Sequence, residues 1–264
     1  NYSRQRFYEA SKSRYRRNRK FVYGENKIIV ITTFRSLLFN IFFYLFTIFC
    51  CFLIVLLYPF LRTNLLQIFA KNCIFIILYA LKAICGISWE VKGLENIPNG
   101  PCIFAANHQG VWESFFLQTI NIPTSSIIKR ELLFIPFFGW ALACLKPIHL
   151  RRSNKFRSLK TVIKKGSKKL SSNTSLIIFP EGTRSLPQNG LKSFSSSCGV
   201  LSVKNKVPVI PICHNSGLFW KNKKFNKEPG IIEVRVGPAI SGNDPKGVTR
   251  DVKKWIQSNF NEIH

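Results

Sequence analysis

The order of apolar and polar residues divides the chain into an apolar N-terminal part and a longer part built of short alternating elements. Ser36 to Leu61 runs 26 residues without a charged side chain, a length that spans the hydrocarbon core of a bilayer. A second apolar run, Leu65 to Leu81, is interrupted by Lys71 and followed by Lys82, which favours a helix that lies in or dips into the membrane interface. We therefore expect residues 28–88 to form a membrane-anchoring helical region.

From Trp89 onward, segments typical of strands alternate with segments of helical length. The strand-like segments are short, rich in Val, Ile and Phe, and bounded by Pro, Gly or Asn; they are Cys102–Ala106, Ser126–Lys129, Ile148–Arg151, Leu176–Phe179, Val207–Ile212 and Ile231–Val236. The segments of helical length are Glu131–Leu145, Asn154–Leu170, Ser195–Lys204 and Val248–Phe260. This alternation predicts an α/β domain over residues 89–264, with a central mixed, largely parallel β-sheet flanked by helices.

The net charge of the chain limits the classes of partner that it is expected to bind. It carries 39 Lys and Arg against 12 Asp and Glu, a formal net charge of +27, and 46% of its residues are apolar. The apolar content excludes a disordered chain, and the positive charge favours a polyanionic partner: nucleic acid, an anionic membrane or a phosphorylated substrate. Residues 1–27 form a basic tail, which the positive-inside rule places in the cytoplasm and which either attracts anionic headgroups or remains solvated. Because the chain begins at Asn1 and has no Met, we expect residues to precede it.

The cysteines indicate neither a metal site nor a disulfide framework. There are eight, with no Cys-x-x-Cys pair and no Cys/His spacing suited to zinc. Several lie in apolar runs, where a free thiol behaves as a small hydrophobic side chain. This pattern predicts a reducing compartment.

The first candidate for chemistry is the loop that follows Cys102–Ala106. His108 is of the type that serves as a general base near neutral pH, and a carboxylate on its other ring nitrogen would fix the tautomer. On one continuous helix, Glu113 would point about 140° away from His108. Contact therefore requires His108 in the loop and Glu113 in the first helical turn, with Gly110 at the bend. A histidine bonded to backbone at a strand end is the alternative.

The second candidate is Phe-Pro-Glu-Gly-Thr-Arg at residues 179–184, directly after another predicted strand. Pro and Gly end the strand and permit a tight turn. If the two strands run parallel, Glu181 and Arg184 are displayed at the same sheet edge as His108. The planar guanidinium of arginine binds phosphate through two parallel hydrogen bonds. The alternative is a surface turn with a local Glu–Arg pair.

Taken together, the two motifs resemble the glycerolipid acyltransferase superfamily, in particular its bacterial 1-acyl-glycerol-3-phosphate acyltransferases. The resemblance extends over roughly residues 89–260. Glu113 stands where the commonest family residue is Asp, and Arg151 stands where the family often has Asp. Further matching segments, in order, are Lys-Arg-Glu-Leu at 129–132, Lys-Pro-Ile-His-Leu-Arg-Arg at 146–152, Val-Pro-Val-Ile-Pro at 207–211 and His-Asn-Ser-Gly at 214–217.

The resemblance implies a set of roles. His108 takes the proton from the free hydroxyl of a lysophospholipid, Glu113 orients His108, and the hydroxyl attacks the carbonyl of an acyl thioester without an acyl-enzyme. The residues implied to hold the glycerol phosphate or to shape its pocket are Arg184, Arg152, Lys129, Glu181, Gly182 and Thr183. The donor is acyl-CoA or an acyl carrier protein, with no cofactor and no metal. The implied location is the bacterial inner membrane, with the catalytic domain on the cytoplasmic side and an anionic membrane surface as partner.

Three functions follow as hypotheses. The first is acyl transfer to 1-acyl-glycerol-3-phosphate, giving phosphatidic acid. The second keeps this chemistry and changes the acceptor to glycerol-3-phosphate, another lysophospholipid or a lyso-aminolipid. The third is a non-catalytic basic module, tethered to the membrane, that binds anionic lipid or nucleic acid. The complete His/Glu pair and the complete 179–184 motif argue against this third hypothesis, and no recognised nucleic-acid motif supports it.

Overall fold

The computed structural model describes residues 2–151 and 155–264, with side chains from Ile28 onward except at positions 155 and 156. The predicted ligand Arg152 lies outside the described residues, as do the side chains of the basic tail. The helices are α1 (Tyr2–Leu57), α2 (Thr63–Cys85), α3 (Trp112–Ile120), α4 (Phe138–Cys144), α5 (Lys155–Ser171), α6 (Ser197–Asn205), α7 (Ser216–Phe219) and α8 (Pro245–Ile263). The strands are β1 (Ile87–Lys92), β2 (Ile103–Ala106), β3 (Thr124–Lys129), β4 (Ile148–Leu150), β5 (Ser175–Ile178), β6 (Val209–His214) and β7 (Gly230–Val236).

The strands form one seven-stranded sheet in the order β1-β7-β6-β2-β5-β3-β4. Every neighbouring pair in it is parallel except β6 and β7, which are antiparallel. The predicted mixed, largely parallel sheet is confirmed. β2, β5 and β6 are buried along their whole length, because helices cover both faces of the sheet, and this explains why they read as continuous apolar runs.

Two layers of helices cover the sheet. On one face, α2 and α3 pack with Phe39 of α1 in a core that includes Leu78 and Trp112. On the other face, α5, α6 and α8 pack through side chains that include Val162, Leu201 and Ile256. All six of these side chains are buried. The segments at the strand ends therefore sit on a sheet that is packed from both sides.

The N-terminal apolar runs form a helical hairpin that is attached to this domain. Ile28–Leu57 and Thr63–Cys85 are each long and apolar enough to cross a membrane. Many of the apolar side chains of α1 and α2 are exposed, with Phe60 in the connecting turn at 80%. At the end of α1, Cys51 and Ile54 pack against Ala141 and Cys144 of α4. The hairpin thus has one side against the α/β domain and an apolar side facing outward.

The prediction of one helical segment over Glu131–Leu145 is wrong. A 3-10 turn covers Arg130–Phe134, and α4 begins only at Phe138. Pro136 disfavours helical backbone at the residue before it and offers no N–H to a helix, and Phe137 has a positive φ of 59°. The strand β1 was not predicted, although its side chains alternate between apolar and polar as in a half-buried strand.

Candidate active site

The parallel strands bring the candidate residues to one edge of the sheet. β6, β2, β5, β3 and β4 lie side by side and point the same way, so the segments that follow them meet at their carboxyl ends. His108 follows β2, the 179–184 motif follows the adjacent β5, and the 214–217 segment follows β6 on the other side of β2. Lys129 ends β3, one strand beyond β5.

His108 and Glu113 are in direct contact. His108 lies in the loop and Glu113 in the first turn of α3, and Nδ1 of His108 is 2.9 Å from Oε1 of Glu113. Gly110 forms the bend between them. A Cβ at position 110 would lie 2.9 Å from the backbone oxygen of Trp220, so the chain passes there too closely for a side chain.

Buried donors surround the carboxylate of Glu113, which has no solvent exposure. Oε1 accepts backbone hydrogen bonds from Gln109 at 2.8 Å and Gly110 at 2.6 Å, in addition to the contact with His108. Oε2 accepts a hydrogen bond from the hydroxyl of Ser216 at 2.9 Å. Burial alone would raise the pKa of Glu113, but the hydrogen bonds from His108 and Gly110 hold that pKa below its ordinary value. Glu113 is therefore ionised at neutral pH.

An ionised Glu113 determines which nitrogen of His108 is free to act. A carboxylate only accepts hydrogen bonds, so Nδ1 carries the proton of the neutral ring and Nε2 keeps its lone pair. The ring stacks on Phe179, with centroids 4.1 Å apart and planes 17° from parallel. Its side chain remains 12% exposed. The ring is thus held from one face, with Nδ1 bound to Glu113 and Nε2 not engaged by that carboxylate.

Glu181 of the 179–184 motif and Ser185, which directly follows the motif, hydrogen-bond to the backbone of His108. Oε1 of Glu181 accepts from the backbone N–H of His108 at 2.9 Å, and the backbone N–H of Ser185 donates to the carbonyl of His108 at 2.9 Å. Oε2 of Glu181 accepts from the Ser185 hydroxyl at 3.1 Å and from the backbone of Lys192 at 3.0 Å. Glu181 is buried, so its carboxylate shapes the loop from within.

The rest of the motif faces outward. Gly182 adopts the left-handed conformation at φ 69°, with open space where a Cβ would lie, and Thr183 is exposed. Nη1 of Arg184 donates to Oδ1 of Asn222 at 3.2 Å. Arg184 lines a cavity of about 270 Å³ together with Val111, which directly follows Gly110.

The predicted site residues are therefore brought together in part. His108 and Glu113 touch, Glu181 touches His108, and Arg184 lines a cavity beside their loop. Lys129 is exposed at the end of β3, and within the described part of the chain no hydrogen bond joins it to these residues.

Sequence reasoning assigned no role to three residues that complete the cluster. The side chain of Asn107 bonds both backbone groups of His214, at 2.9 and 3.1 Å, and so ties the end of β2 to the end of β6. Nε2 of His214 donates to the carbonyl of Asn107 at 2.9 Å, and burial lowers the pKa of His214, which keeps the ring neutral. Ser216 follows and reaches Glu113. The available signal was the polar His-Asn-Ser-Gly segment directly after an apolar strand.

Cysteine chemistry is disfavoured next to this cluster. Burial raises the pKa of Cys102 to about 11 and that of Cys213 to about 12, so both thiols stay protonated at neutral pH. Within the described residues there is no group of three or more His, Cys, Asp or Glu side chains that could hold a metal ion. Among these side chains, the arrangement that suits catalysis is an imidazole held by a carboxylate, His108 with Glu113.

The chain is similar in sequence and in structure to known proteins. Residues 88–215 match the protein family described as Acyltransferase. A 1-acyl-sn-glycerol-3-phosphate acyltransferase of Pseudomonas aeruginosa is 41% identical over 191 residues, which are 70% of this chain and 74% of that protein. One from Saccharomyces cerevisiae is 30% identical over 186 residues, 68% of this chain and 59% of that protein. The crystal structure of the 1-acyl-sn-glycerophosphate acyltransferase PlsC from Thermotoga maritima has the same fold, with a TM-score of 0.70, 23% identity, and coverage of 87% of this chain and 94% of that one.

Proposed function

This chain belongs to the acyltransferase family, and on that premise we propose that it transfers a fatty acyl group from an acyl thioester to the free sn-2 hydroxyl of 1-acyl-sn-glycerol-3-phosphate. The products are phosphatidic acid and a free thiol. The names of the relatives from Pseudomonas aeruginosa and Saccharomyces cerevisiae support this acceptor. The observation that carries the chemistry is the 2.9 Å contact between His108 Nδ1 and the ionised carboxylate of Glu113.

The proposed mechanism needs one base. Nε2 of His108 takes the proton of the sn-2 hydroxyl while the hydroxyl oxygen attacks the thioester carbonyl carbon. The C–S bond then breaks, and the departing sulfur receives the proton back from Nε2. Glu113 stabilises the imidazolium that exists between the two transfers, because its charge lies next to Nδ1. A thioester has a good leaving group, so no acyl-enzyme is required.

The acceptor phosphate binds on the Arg184 side of His108. Arg184 presents a guanidinium to the cavity beside the base, and Lys129 supplies further positive charge at the end of β3. Arg152 lies outside the described residues and is assigned to the phosphate on the family resemblance alone. Glu181 holds the loop in shape, and Gly182 and Thr183 form its exposed turn. This arrangement suits an anionic headgroup near His108.

The helical hairpin anchors the enzyme to the membrane that contains its lipid substrate. The catalytic domain packs along α1 from Ser36 to Ile54, about 27 Å of helix axis. A polar domain along one side of the helix favours a hairpin that lies in one leaflet, with its apolar side in lipid. The exposed side chains Phe134, Ile135, Phe137 and Trp140 extend this apolar surface beside α4. In this orientation the catalytic domain faces the cytoplasm at the inner membrane of a bacterium, against an anionic surface.

The test is acyl transfer by the detergent-solubilised protein. Acyl-CoA and an acyl carrier protein carrying the same acyl chain are offered separately. The acceptors are 1-acyl-glycerol-3-phosphate, glycerol-3-phosphate and a zwitterionic lysolipid, and products are identified by mass spectrometry. We expect phosphatidic acid from the first acceptor, and the productive donor identifies the co-substrate.

The matched variants are His108→Ala and His149→Ala. The first should abolish turnover with the fold intact, because the base acts in the transition state. The second removes a histidine of β4 and should leave the rate unchanged. Activity retained by His108→Ala would remove the mechanism, product from another acceptor would change the substrate, and no product with either donor would favour a binding module.

A further inference from the structure

A loop rich in lysine lies next to Arg184. It comprises residues 221–227, Lys-Asn-Lys-Lys-Phe-Asn-Lys, and follows Trp220 after α7. Asn222 accepts the hydrogen bond of the Arg184 guanidinium. Lys221, Lys223 and Lys224 are exposed, so their ammonium groups are available to a ligand. We call this segment the lysine loop.

The lysine loop is docked on the membrane hairpin. The backbone N–H of Lys227 donates to the hydroxyl of Ser36 at 2.9 Å, and its ammonium donates to Oδ1 of Asn40 at 2.6 Å. Asn226 reaches the hydroxyl of Thr33 at 3.2 Å. Thr33, Ser36 and Asn40 are polar residues within Ile28–Leu57, the largely apolar part of α1, and these contacts account for them. The loop is therefore held in place by the membrane-anchoring helix.

Together, the loop, α1 and the catalytic motif enclose the cavity of about 270 Å³. Its cationic lining consists of Arg184, Lys221, Lys223, Lys224 and Lys227, and no carboxylate is among its described lining residues. Lys227 is already bonded to Asn40 and to the carbonyl of Phe225, so the other four carry the charge that a ligand meets. Such a lining favours a phosphate with more than one negative charge.

The wall of the cavity formed by α1 is apolar and continues into the exposed apolar surface of that helix. Phe43 and Tyr44 of α1 line it, and Tyr44 is 63% exposed. Ile41 and Leu45 continue the exposed apolar surface along α1. A ligand with a phosphate at one end and a single acyl chain at the other matches both walls, since the chain can leave along α1 into the membrane.

We propose that the lysine loop, together with Arg184 and α1, forms the headgroup pocket for the acceptor and makes the enzyme select a phosphomonoester lysolipid over a neutral one. This inference rests on the proposed function, because it assigns the pocket to the acceptor of that reaction. Val111 lines the cavity and directly follows the turn that carries His108, so the bound phosphate lies near the base. That short separation suits the glycerol phosphate of the acceptor, whose reacting hydroxyl is two carbons away from its phosphate ester oxygen.

The experiment compares two triple variants with equal loss of charge. The loop variant is Lys221→Gln, Lys223→Gln and Lys224→Gln, and the control is Lys164→Gln, Lys165→Gln and Lys168→Gln on the exposed side of α5. Initial rates are measured in neutral detergent micelles with 1-acyl-glycerol-3-phosphate and with 1-acyl-glycerol. For the loop variant we expect the KM of the phosphate acceptor to rise about tenfold, with kcat and the KM of the acyl donor little changed. The control and the neutral acceptor should show no such change.

A second variant tests the docking on α1 without removing a charge. Asn40→Leu removes the acceptor of the Lys227 ammonium, so the loop loses one of its three hydrogen bonds to α1 and the KM of the phosphate acceptor should rise as well. Added salt should raise this KM in the unaltered enzyme more than in the loop variant.

The outcomes separate the inference from the proposed function. If the unaltered enzyme does not acylate 1-acyl-glycerol-3-phosphate, the proposed function fails. If it does, and the loop variant and the control variant have the same KM for the phosphate acceptor, the inference alone is overturned. It is also overturned if the loop variant keeps its KM in neutral micelles but loses binding to vesicles of anionic lipid, since the loop then serves the membrane headgroups. A rise confined to the KM of the acyl donor would assign the pocket to the donor and reject it as the acceptor site.

Discussion

Ser216 donates a hydrogen bond to Oε2 of Glu113 across 2.9 Å, although 103 positions separate the two residues in the chain. Both side chains are fully buried. The other carboxylate oxygen faces His108 and two backbone N–H groups, so the serine satisfies the oxygen that these donors do not reach. Ser216 is therefore a positioning residue that acts through Glu113.

Removing this hydroxyl should slow the reaction without weakening substrate binding. In Ser216→Ala, Oε2 of Glu113 is left buried without its donor, which favours a rotated carboxylate and a misaligned His108. We expect kcat to fall about tenfold with KM unchanged, as measured by steady-state rates. Ser114→Ala, next to Glu113 in sequence, serves as the control and should keep its rate. Equal rates for both variants would show that Ser216 has no positioning role.

The length and the charge of residue 113 should have separable effects. Glu113→Gln removes the charge that stabilises the imidazolium, and we expect kcat to fall by about a hundredfold or more. Glu113→Asp keeps the charge but is shorter by one methylene, so it cannot reach His108 and Ser216 at once, and a smaller loss is expected. The measurement is kcat for both variants at matched thermal stability. A Gln variant as active as the Asp variant would contradict the role of the charge.

His214 should make the fold sensitive to mild acid. Burial lowers its pKa below the ordinary value of 6.5, so the unfolded chain binds a proton in a pH range where the folded protein does not. The free energy of unfolding therefore rises with pH in that range. The contribution that His214 makes to it is lost as the pH falls below about 6.5. Thermal unfolding in detergent between pH 8 and pH 5 measures this dependence.

A matched pair of substitutions tests the assignment to His214. His214→Gln should reduce the dependence without abolishing it, because burial also lowers the pKa of His264 to about 4, whereas Gln at the less buried His149 should leave most of it. An unchanged slope in His214→Gln would assign the acid sensitivity to another group.

The contact between α6 and α8 should tolerate no side chain at Gly199. A Cβ there would lie 2.0 Å from the backbone oxygen of Pro245 and 2.5 Å from Oγ1 of Thr249, so one helix must move. We expect Gly199→Ala to lower the free energy of unfolding by about 1–3 kcal/mol, as measured by denaturant titration. Gly100→Ala is the control, because nothing lies within 4 Å of its Cβ position. An equal effect of both substitutions would argue against close packing of the two helices.

Local patterns were sufficient for the central strands and for the contact between His108 and Glu113. β2 and β5 are buried on both faces, so they appear in the sequence as short apolar runs, each followed directly by a polar motif. His108 and Glu113 are five positions apart, and a loop followed by a helical start is a local feature. By contrast, the break at Phe137 was missed, since the apolar residues around it continue a helical pattern despite Pro136.

The amino-acid sequence by itself determined the α/β class, the apolar N-terminal helices, the motifs at the strand ends and the family, because each depends on neighbouring residues. Only the tertiary structure decided which distant groups surround those motifs. Glu181 holds the backbone of His108, Ser216 holds Glu113, and the lysine loop rests on α1, contacts between residues 73, 103 and 191 positions apart. These partners are set by the order of the strands and by the docking of the hairpin. Both result from burying apolar surface across the whole chain, which no local window of sequence records.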